Sequence, residues 1–229
     1  MACSPRLLVL AAVLLAAAAS APAAGVPATL TVAVDRFQAG HVIPQVYGFC
    51  VPAATGHTAP GRNVSPAISW SRGPAGTASY AVVVVDTDVP AMFTDADKEG
   101  RVIAAGVKRR PFYHGLLVDV PRSRTALAQG EDSKDGAGKP AGPTAHGVRG
   151  LNDFGGGRAG YDGPCPPWND AIAHRYHFQV YALDVAHLPL PANFAGPDVV
   201  RAIRGHVVAR GEIVGLYTLN PDVARMLPP

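Results

Sequence analysis

The chain carries its hydrophobic residues mostly at period two, the spacing of strands that bury one face. Thr29–Val34 alternates and is rich in β-branched residues, which predicts a first strand, and Val42–Tyr47 predicts a weaker second. Asn63-Val64-Ser65-Pro66 is turn chemistry, and a short strand is expected after it over Ala67–Trp70. Ser79–Asp86 reads S-Y-A-V-V-V-V-D, an apolar run that suits a strand buried on both faces. Phe112–Val120, ended by Pro121, and the alternating Arg175–Val185 predict two further strong strands, and Glu212–Leu219 a closing one. Only Pro197–Arg210 has helical spacing. Val199, Val200, Ile203, Val207 and Val208 fall on one stripe, with Pro197 suited to the first turn and Gly211 to the stop. Strands dominate, so the expected fold is a mainly β, sandwich-like domain.

Two segments interrupt this pattern. Ala91–Arg110 is a charged insertion ending in Lys108-Arg109-Arg110, and Arg122–Ala173 has little periodicity and many glycines. Loops of that length are either functional or disordered. Within the second, Gln129–Gly147 reads as a mobile stretch. Asp153–Asp170, with its aromatics, Cys165 and the prolines of Gly163-Pro164-Cys165-Pro166-Pro167, reads as a rigid loop.

Composition supports this outline and narrows it. The 229 residues suit one domain, and 48% hydrophobic content excludes general disorder. Twenty-five Gly and 22 Pro are too many for a helical bundle. The formal charge of +3, with scattered basic residues, gives no electrostatic footprint for nucleic acid. The first residues form a unit of their own. Arg6 is followed by 13 apolar residues, Leu7–Ala19, and then by the small residues Ala19-Ser20-Ala21. A basic start, a short apolar run and a small-residue site make a secretory signal peptide over 1–21, with cleavage at up to 24, and leave one domain over 25–229. The run is shorter than the ~20 residues that span a bilayer, and no second run is long enough, so the mature protein is expected to be exported, periplasmic or secreted, without a transmembrane anchor. Without Arg6 the mature charge falls to +2, from 19 basic and 17 acidic residues. Cys3 leaves with the leader. In an oxidising compartment Cys50 and Cys165 then read as one disulfide, the alternative being two buried thiols.

Three places join strand ends to polar residues: Asp86-Thr87-Asp88-Val89-Pro90, Tyr113-His114, and Gly163–Pro167 leading to His174-Arg175-Tyr176. Acids and histidines beside a rigid Gly/Pro loop can line one concave site. The competing reading is a satisfied core histidine with turn-forming aspartates, and spacing alone does not choose between them. Taken together, however, the motifs resemble the phosphatidylethanolamine-binding protein family, also called Raf kinase inhibitor-like proteins, in its bacterial branch. The matching pieces are Asn63-x-Ser65-Pro66-x-x-x-Trp70, Pro74-x-Gly76-Thr77, Asp86-x-Asp88-x-Pro90, His114, Asp153-Phe154-Gly155, Gly160-Tyr161-Asp162-Gly163-x-x-Pro166-Pro167 and His174-Arg175-Tyr176-x-Phe178-x-Val180-Tyr181-Ala182-Leu183. They run in family order from about Pro44 to Leu219.

The resemblance implies a large central antiparallel sheet packed on a smaller sheet, with peripheral helices. It also implies a small pocket for phosphate and phosphorylated headgroups. Carried over by position, that pocket holds Asp86, His114, Gly163, Pro167, His174 and Tyr176, with Tyr161 and Asp88 alongside and Pro166 stiffening the loop. On this reading His114 and His174 donate to phosphate oxygens, Gly163 lets the backbone come close, and Asp86 fixes a histidine tautomer or receives an ammonium group. The chain departs from the family pattern at Thr87, at Gly115, in the longer link Trp168–Ala173 and in the Ala91–Arg110 insertion, which reads as a lid, a partner surface or a solvated loop.

The leading expectation is therefore an exported binding protein for a small anionic or phospholipid headgroup ligand, with no cofactor and no nucleic-acid partner. An inhibitor that contacts a periplasmic or extracellular enzyme through its loops is the alternative. A metal-dependent hydrolase using His114, His174, Asp86 and Asp88 is a third reading, without an HExxH or Gly-x-Ser-x-Gly pattern behind it.

Overall fold

The structure is a computed structural model that describes residue 1, residues 27–133 and residues 139–228. The predicted leader, Met1 aside, lies outside the described residues. Twelve strands and two short helices are present among those described. They are β1 (Ala28–Thr29), β2 (Val32–Val34), β3 (Cys50–Pro52), β4 (Thr58–Pro60), β5 (Ile68–Trp70), β6 (Ser79–Pro90), β7 (Arg109–Pro121), β8 (Ala126–Leu127), β9 (Gly142–Thr144), β10 (Gly147–Arg149), β11 (His174–Leu183), α1 (Gly196–Ala202), β12 (Val207–Tyr217) and α2 (Pro221–Ala224). A seven-stranded sheet runs in the order β1-β12-β11-β6-β7-β10-β9. It is antiparallel except where β1 pairs with β12. A three-stranded sheet, β2-β5-β8, and the hairpin β3-β4 complete the β structure.

The period-two pattern decides what each face buries. On β6, Tyr80, Val82 and Val84 enter the core shared with Ile68, Trp70 and Leu127 of the small sheet. Ala81, Val83 and Val85 enter a second core under α1, with Val199, Ile203, Phe194 and Leu188. The run S-Y-A-V-V-V-V-D is thus buried on both faces, as its composition implies.

Four expectations need correction. Val42–Tyr47 is not a strand. Pro44 has no N–H to give to a ladder, and Gln45–Tyr47 closes a 3-10 turn instead. The Pro197–Arg210 helix ends at Ala202. Gly205 turns with φ 82°, and Val207 and Val208 open β12, Val207 pairing with Leu183 of β11 and Val208 standing at the register shift that follows. Val200, counted on the helical stripe, is exposed. Thr29–Val34 is divided between two sheets at Leu30 and Thr31. The stretch read as mobile has buried Asp132 and Ser133 at one end and β9 with the start of β10 at the other, while 134–138 lie outside the described residues. Cys50 and Cys165 form a disulfide that joins β3 to the proline loop across a separation of 115 residues. No helix among the described residues is long and apolar enough to cross a membrane.

Gly115 offers a direct test of the packing. It borders a small pocket of about 30 Å³ lined by Ile68, Val84, Leu127 and Phe178. A Cβ here would meet its nearest neighbours, Tyr161 and Val84, at 3.6 Å, which is ordinary contact. Gly115→Ala should therefore stabilise the fold by about 0.4–1 kcal/mol, mainly by restricting the unfolded chain. That corresponds to a rise of roughly 1–4 °C in Tm by calorimetry. A fall in Tm would show that the pocket does not accept a methyl group.

Candidate functional site

The site forms where β11 begins beside the middle of the β6–β7 pair, on the face shared with the small sheet. Two irregularities place its side chains. Between β6 and β7 the register passes from Val84↔Gly115 to Val85↔Tyr113, so His114 is the extra residue of a bulge. A second shift between Asp86 and Val89 follows directly. The bulge turns His114 toward Tyr176, with ring centroids 5.1 Å apart and edge-to-face, while its neighbour Tyr113 packs on the opposite core. Tyr176 itself pairs with Asp86 across β11 and β6.

Asp86 anchors a buried chain of charges. Its Oδ1 accepts the Asp88 N–H at 2.7 Å, and its Oδ2 accepts from His174 Nδ1 at 2.7 Å. His174 Nε2 donates to Asp170 Oδ2 at 3.1 Å, and Arg109 closes the chain with a bidentate pair to Asp170 at 2.5 and 3.0 Å. Because both ring nitrogens face carboxylates, His174 is an imidazolium. Burial opposes its charge, but Asp170 and Asp86 outweigh burial and raise its pKa from 6.5 to about 9. Burial likewise opposes ionisation of Asp170, and His174 and Arg109 outweigh it to hold the carboxyl below its ordinary range. Asp88 is held low in the same way by Arg175, which grips it with three hydrogen bonds.

His114 is arranged differently. Its Nδ1 lies 2.7 Å from the Asp162 carbonyl, which can only accept, so Nδ1 carries the proton and Nε2 is left as the lone-pair nitrogen. Burial pushes His114 below the usual imidazole value, and the Asp86 charge and hydrogen bonds to the Asp162 and Gly163 backbone offset this only in part. The Tyr176 hydroxyl is buried and unpartnered. It lies near Asp86 but outside hydrogen-bonding geometry, and burial together with that carboxylate raises its pKa well above 10. The half-buried rings of Phe112 and Phe154 cover His114, with centroids at 5.1 and 5.3 Å.

The structure therefore gathers Asp86, His114 and Tyr176 and gives the other named residues supporting parts. The expectation that His174 donates to a ligand does not fit, since both its nitrogens are taken inside the protein. Gly163 does not turn its N–H to an open site, because that group donates to Asn63 Oδ1 at 2.7 Å. A Cβ on Gly163 would fall 1.8 Å from the Tyr47 carbonyl oxygen, so the glycine is required for packing against the 47–49 backbone. Tyr161 spends its hydroxyl on the same Tyr47 carbonyl at 2.9 Å. Pro166 and Pro167 are buried, and the Pro167 carbonyl accepts the Asp170 N–H. Asp88 accepts from Arg175 beside the site.

Several residues that organise the site were not singled out by sequence reasoning. Asp162 is fully buried and accepts from Asn63, Asn152 and Arg158. Asn63 therefore cannot serve as an accessible glycosylation acceptor, although Asn63-Val64-Ser65 has the sequon form. Asp170 stands four residues before His174, a spacing that could have suggested the pair, but Arg109 sits 61 residues away and left no local signal. No group of three or more His, Cys, Asp or Glu side chains that could hold a metal ion occurs among the described residues.

A β-bulge histidine, a buried carboxylate and an orphaned phenol meet on three adjacent central strands. Comparison with known proteins places the chain. The phosphatidylethanolamine-binding protein family model matches residues 33–218. A UPF0098 protein of Aquifex aeolicus is 34% identical over 182 residues, covering 79% of this chain and 84% of the relative. The UPF0098 protein YbcL of Escherichia coli is 33% identical over 160 residues, covering 70% and 74%. The crystal structure of E. coli YbcL, described as a member of the mammalian family of these proteins, aligns with a TM-score of 0.62 at 30% identity, over 83% of this chain and 99% of that one. A homologue from Chlamydia trachomatis aligns with a TM-score of 0.58 at 25% identity, over 82% and 97%. The chain belongs to the phosphatidylethanolamine-binding protein family.

Proposed function

We propose that this chain is an exported binding protein whose Asp86–His114–Tyr176 site takes phosphate or a phosphorylated headgroup. The observation that carries the reading is the buried, unpartnered Tyr176 hydroxyl, whose ring meets that of His114 edge-to-face at 5.1 Å. A buried hydroxyl without a partner costs on the order of 1–3 kcal/mol, and a ligand oxygen would recover that cost. On binding an anion, His114 takes up a proton and both groups donate to it. Asp86 then lies on the side where the ammonium of a zwitterionic headgroup would be received, and its charge is already fixed in place by His174. The sequence supports export through the apolar run Leu7–Ala19 and the small residues after it, and the Cys50–Cys165 disulfide fits an oxidising compartment.

Titration calorimetry with phosphate and with phosphoethanolamine tests the site. His114→Ala and Tyr176→Phe should each weaken binding by 10-fold or more, because charge-assisted hydrogen bonds contribute roughly 1.5–3 kcal/mol. Unchanged affinity in both variants would overturn the assignment.

A further inference from the structure

Seven large hydrophobic residues are exposed among those described, and four of them sit on the insertion between β6 and β7: Met92 (76%), Phe93 (49%), Val102 (69%) and Val107 (39%). Isolated exposed apolar residues are ordinary, whereas a concentration on one projection marks a contact surface. The insertion does not owe this exposure to loose attachment. Asn169 Nδ2 donates to the carbonyls of Asp95, Lys98 and Arg101, and its Oδ1 accepts the Asp97 N–H. His57 stacks on Trp168 at 3.7 Å and pairs with Glu99 at 2.6 Å. Arg109 ties the returning strand to Asp170 and to the Ala104 carbonyl. Met92, Val102 and Val107 share an open cleft of about 530 Å³ with Lys108.

The charges around this surface are unevenly spent. Glu99 is paired with His57, Asp97 accepts the Trp168 N–H, and Asp95 stands 3.8 Å from Arg101. Lys108 and Arg110 have no carboxylate partner among the described residues. Lys108 lines the apolar cleft, and the Arg110 guanidinium lies over Phe93 and Phe112, 5.8 Å from each ring centroid. The same insertion thus presents apolar side chains outward with unneutralised cations beside them. It also connects to the binding site, because Phe112 packs on His114.

We infer that the 91–110 insertion is a docking surface for a bilayer containing anionic phospholipid, with Met92, Phe93 and Val102 entering the interface and Lys108 and Arg110 meeting lipid phosphates. The chemistry matches on both counts, since apolar side chains gain by leaving water and each cation near an anionic surface is attracted to it. The inference rests on the proposed headgroup site, because docking here would bring a lipid phosphate to the rim formed by Phe112 and Phe93.

The test is co-sedimentation of the full chain with vesicles of phosphatidylcholine alone and of phosphatidylcholine with phosphatidylglycerol. Wild type should partition at least 10-fold more strongly into the anionic vesicles. A Met92→Ser/Phe93→Ser/Val102→Ser variant and a Lys108→Gln/Arg110→Gln variant should each lose at least 10-fold of that binding. The three proteins share the same N-terminus, so a difference between them reports the insertion. A Phe93→Trp variant should gain fluorescence that brominated lipids quench. Equal sedimentation of the three proteins, or no quenching of Trp at position 93, would overturn the inference and leave a protein partner as the reading of the surface. Calorimetry of the same variants with phosphoethanolamine separates the two proposals. Unchanged headgroup affinity with lost vesicle binding supports both, whereas vesicle docking without any headgroup affinity in wild type would remove the site reading and leave the surface.

Discussion

Replacing His174 with alanine should cost about 3–5 kcal/mol of folding stability, the range for removing one partner from a buried ion pair. His174 is fully buried between Asp86 and Asp170, and its loss leaves two carboxylates facing each other with only Arg109 to compensate one of them. The pH dependence carries a signature. The folded-state pKa of about 9 stands above the ordinary 6.5, so the stabilisation is fully present below pH 6.5 and is lost as pH rises toward 9. A shift of that size corresponds to about 3 kcal/mol by linkage, consistent with the cost of the variant. His114 acts in the opposite sense. Its pKa is depressed by burial, so its contribution is present above about pH 6.5 and is lost as pH falls. Urea unfolding of wild type between pH 6 and 9.5 should show declining stability, and His174→Ala should flatten that decline. An unchanged slope in the variant would mean that the decline has another source.

The second large effect is expected at the disulfide. Cys50–Cys165 closes a loop with a separation of 115 residues, for which restriction of the unfolded chain gives about 4–5 kcal/mol as an upper value. Its place matters as much as its size. The Phe49 and Cys50 N–H groups both donate to the Pro164 carbonyl, so the bond joins two segments that already pair beside Gly163. Cys50→Ser/Cys165→Ser should unfold at markedly lower denaturant concentration, and the native wild type should show no free thiol from this pair without reductant. Two reactive thiols in the unreduced chain, or equal stability of the double variant, would contradict the assignment.

The strands were legible in sequence wherever one physical rule decided them. Ser79–Asp86 and Phe112–Val120 are β-branched or aromatic, bounded by turn residues, and both lie within longer strands, β6 and β7. Pro197–Arg210 shows why the rest was less legible. Its apolar residues satisfy a helical stripe and a strand equally well over Val207-Val208, and only pairing with Leu183 decides the outcome. The site was legible as a set of positions but not as a set of roles. The motifs named Asp86, His114, His174 and Tyr176, and all four lie together. What distinguishes them is long-range: a bulge that turns His114, and Asp170 and Arg109 that consume His174. Neither a register shift nor a partner 61 residues away leaves a periodic trace. Gly163 was marked as special for the right conformational reason but for the wrong neighbour, since its missing Cβ makes room for Tyr47.

The proposed headgroup site rests on the contact between the His114 ring and the unpartnered Tyr176 phenol. The most direct measurement is the calorimetric heat of phosphoethanolamine binding to wild type at pH 7.5, repeated in two buffers of different ionisation enthalpy. The heats should differ, because neutral His114 takes up a proton as the anion binds, and His114→Ala should abolish the difference. Binding with identical heats in both buffers, or a buffer-dependent heat that survives in His114→Ala, would contradict the proposed site.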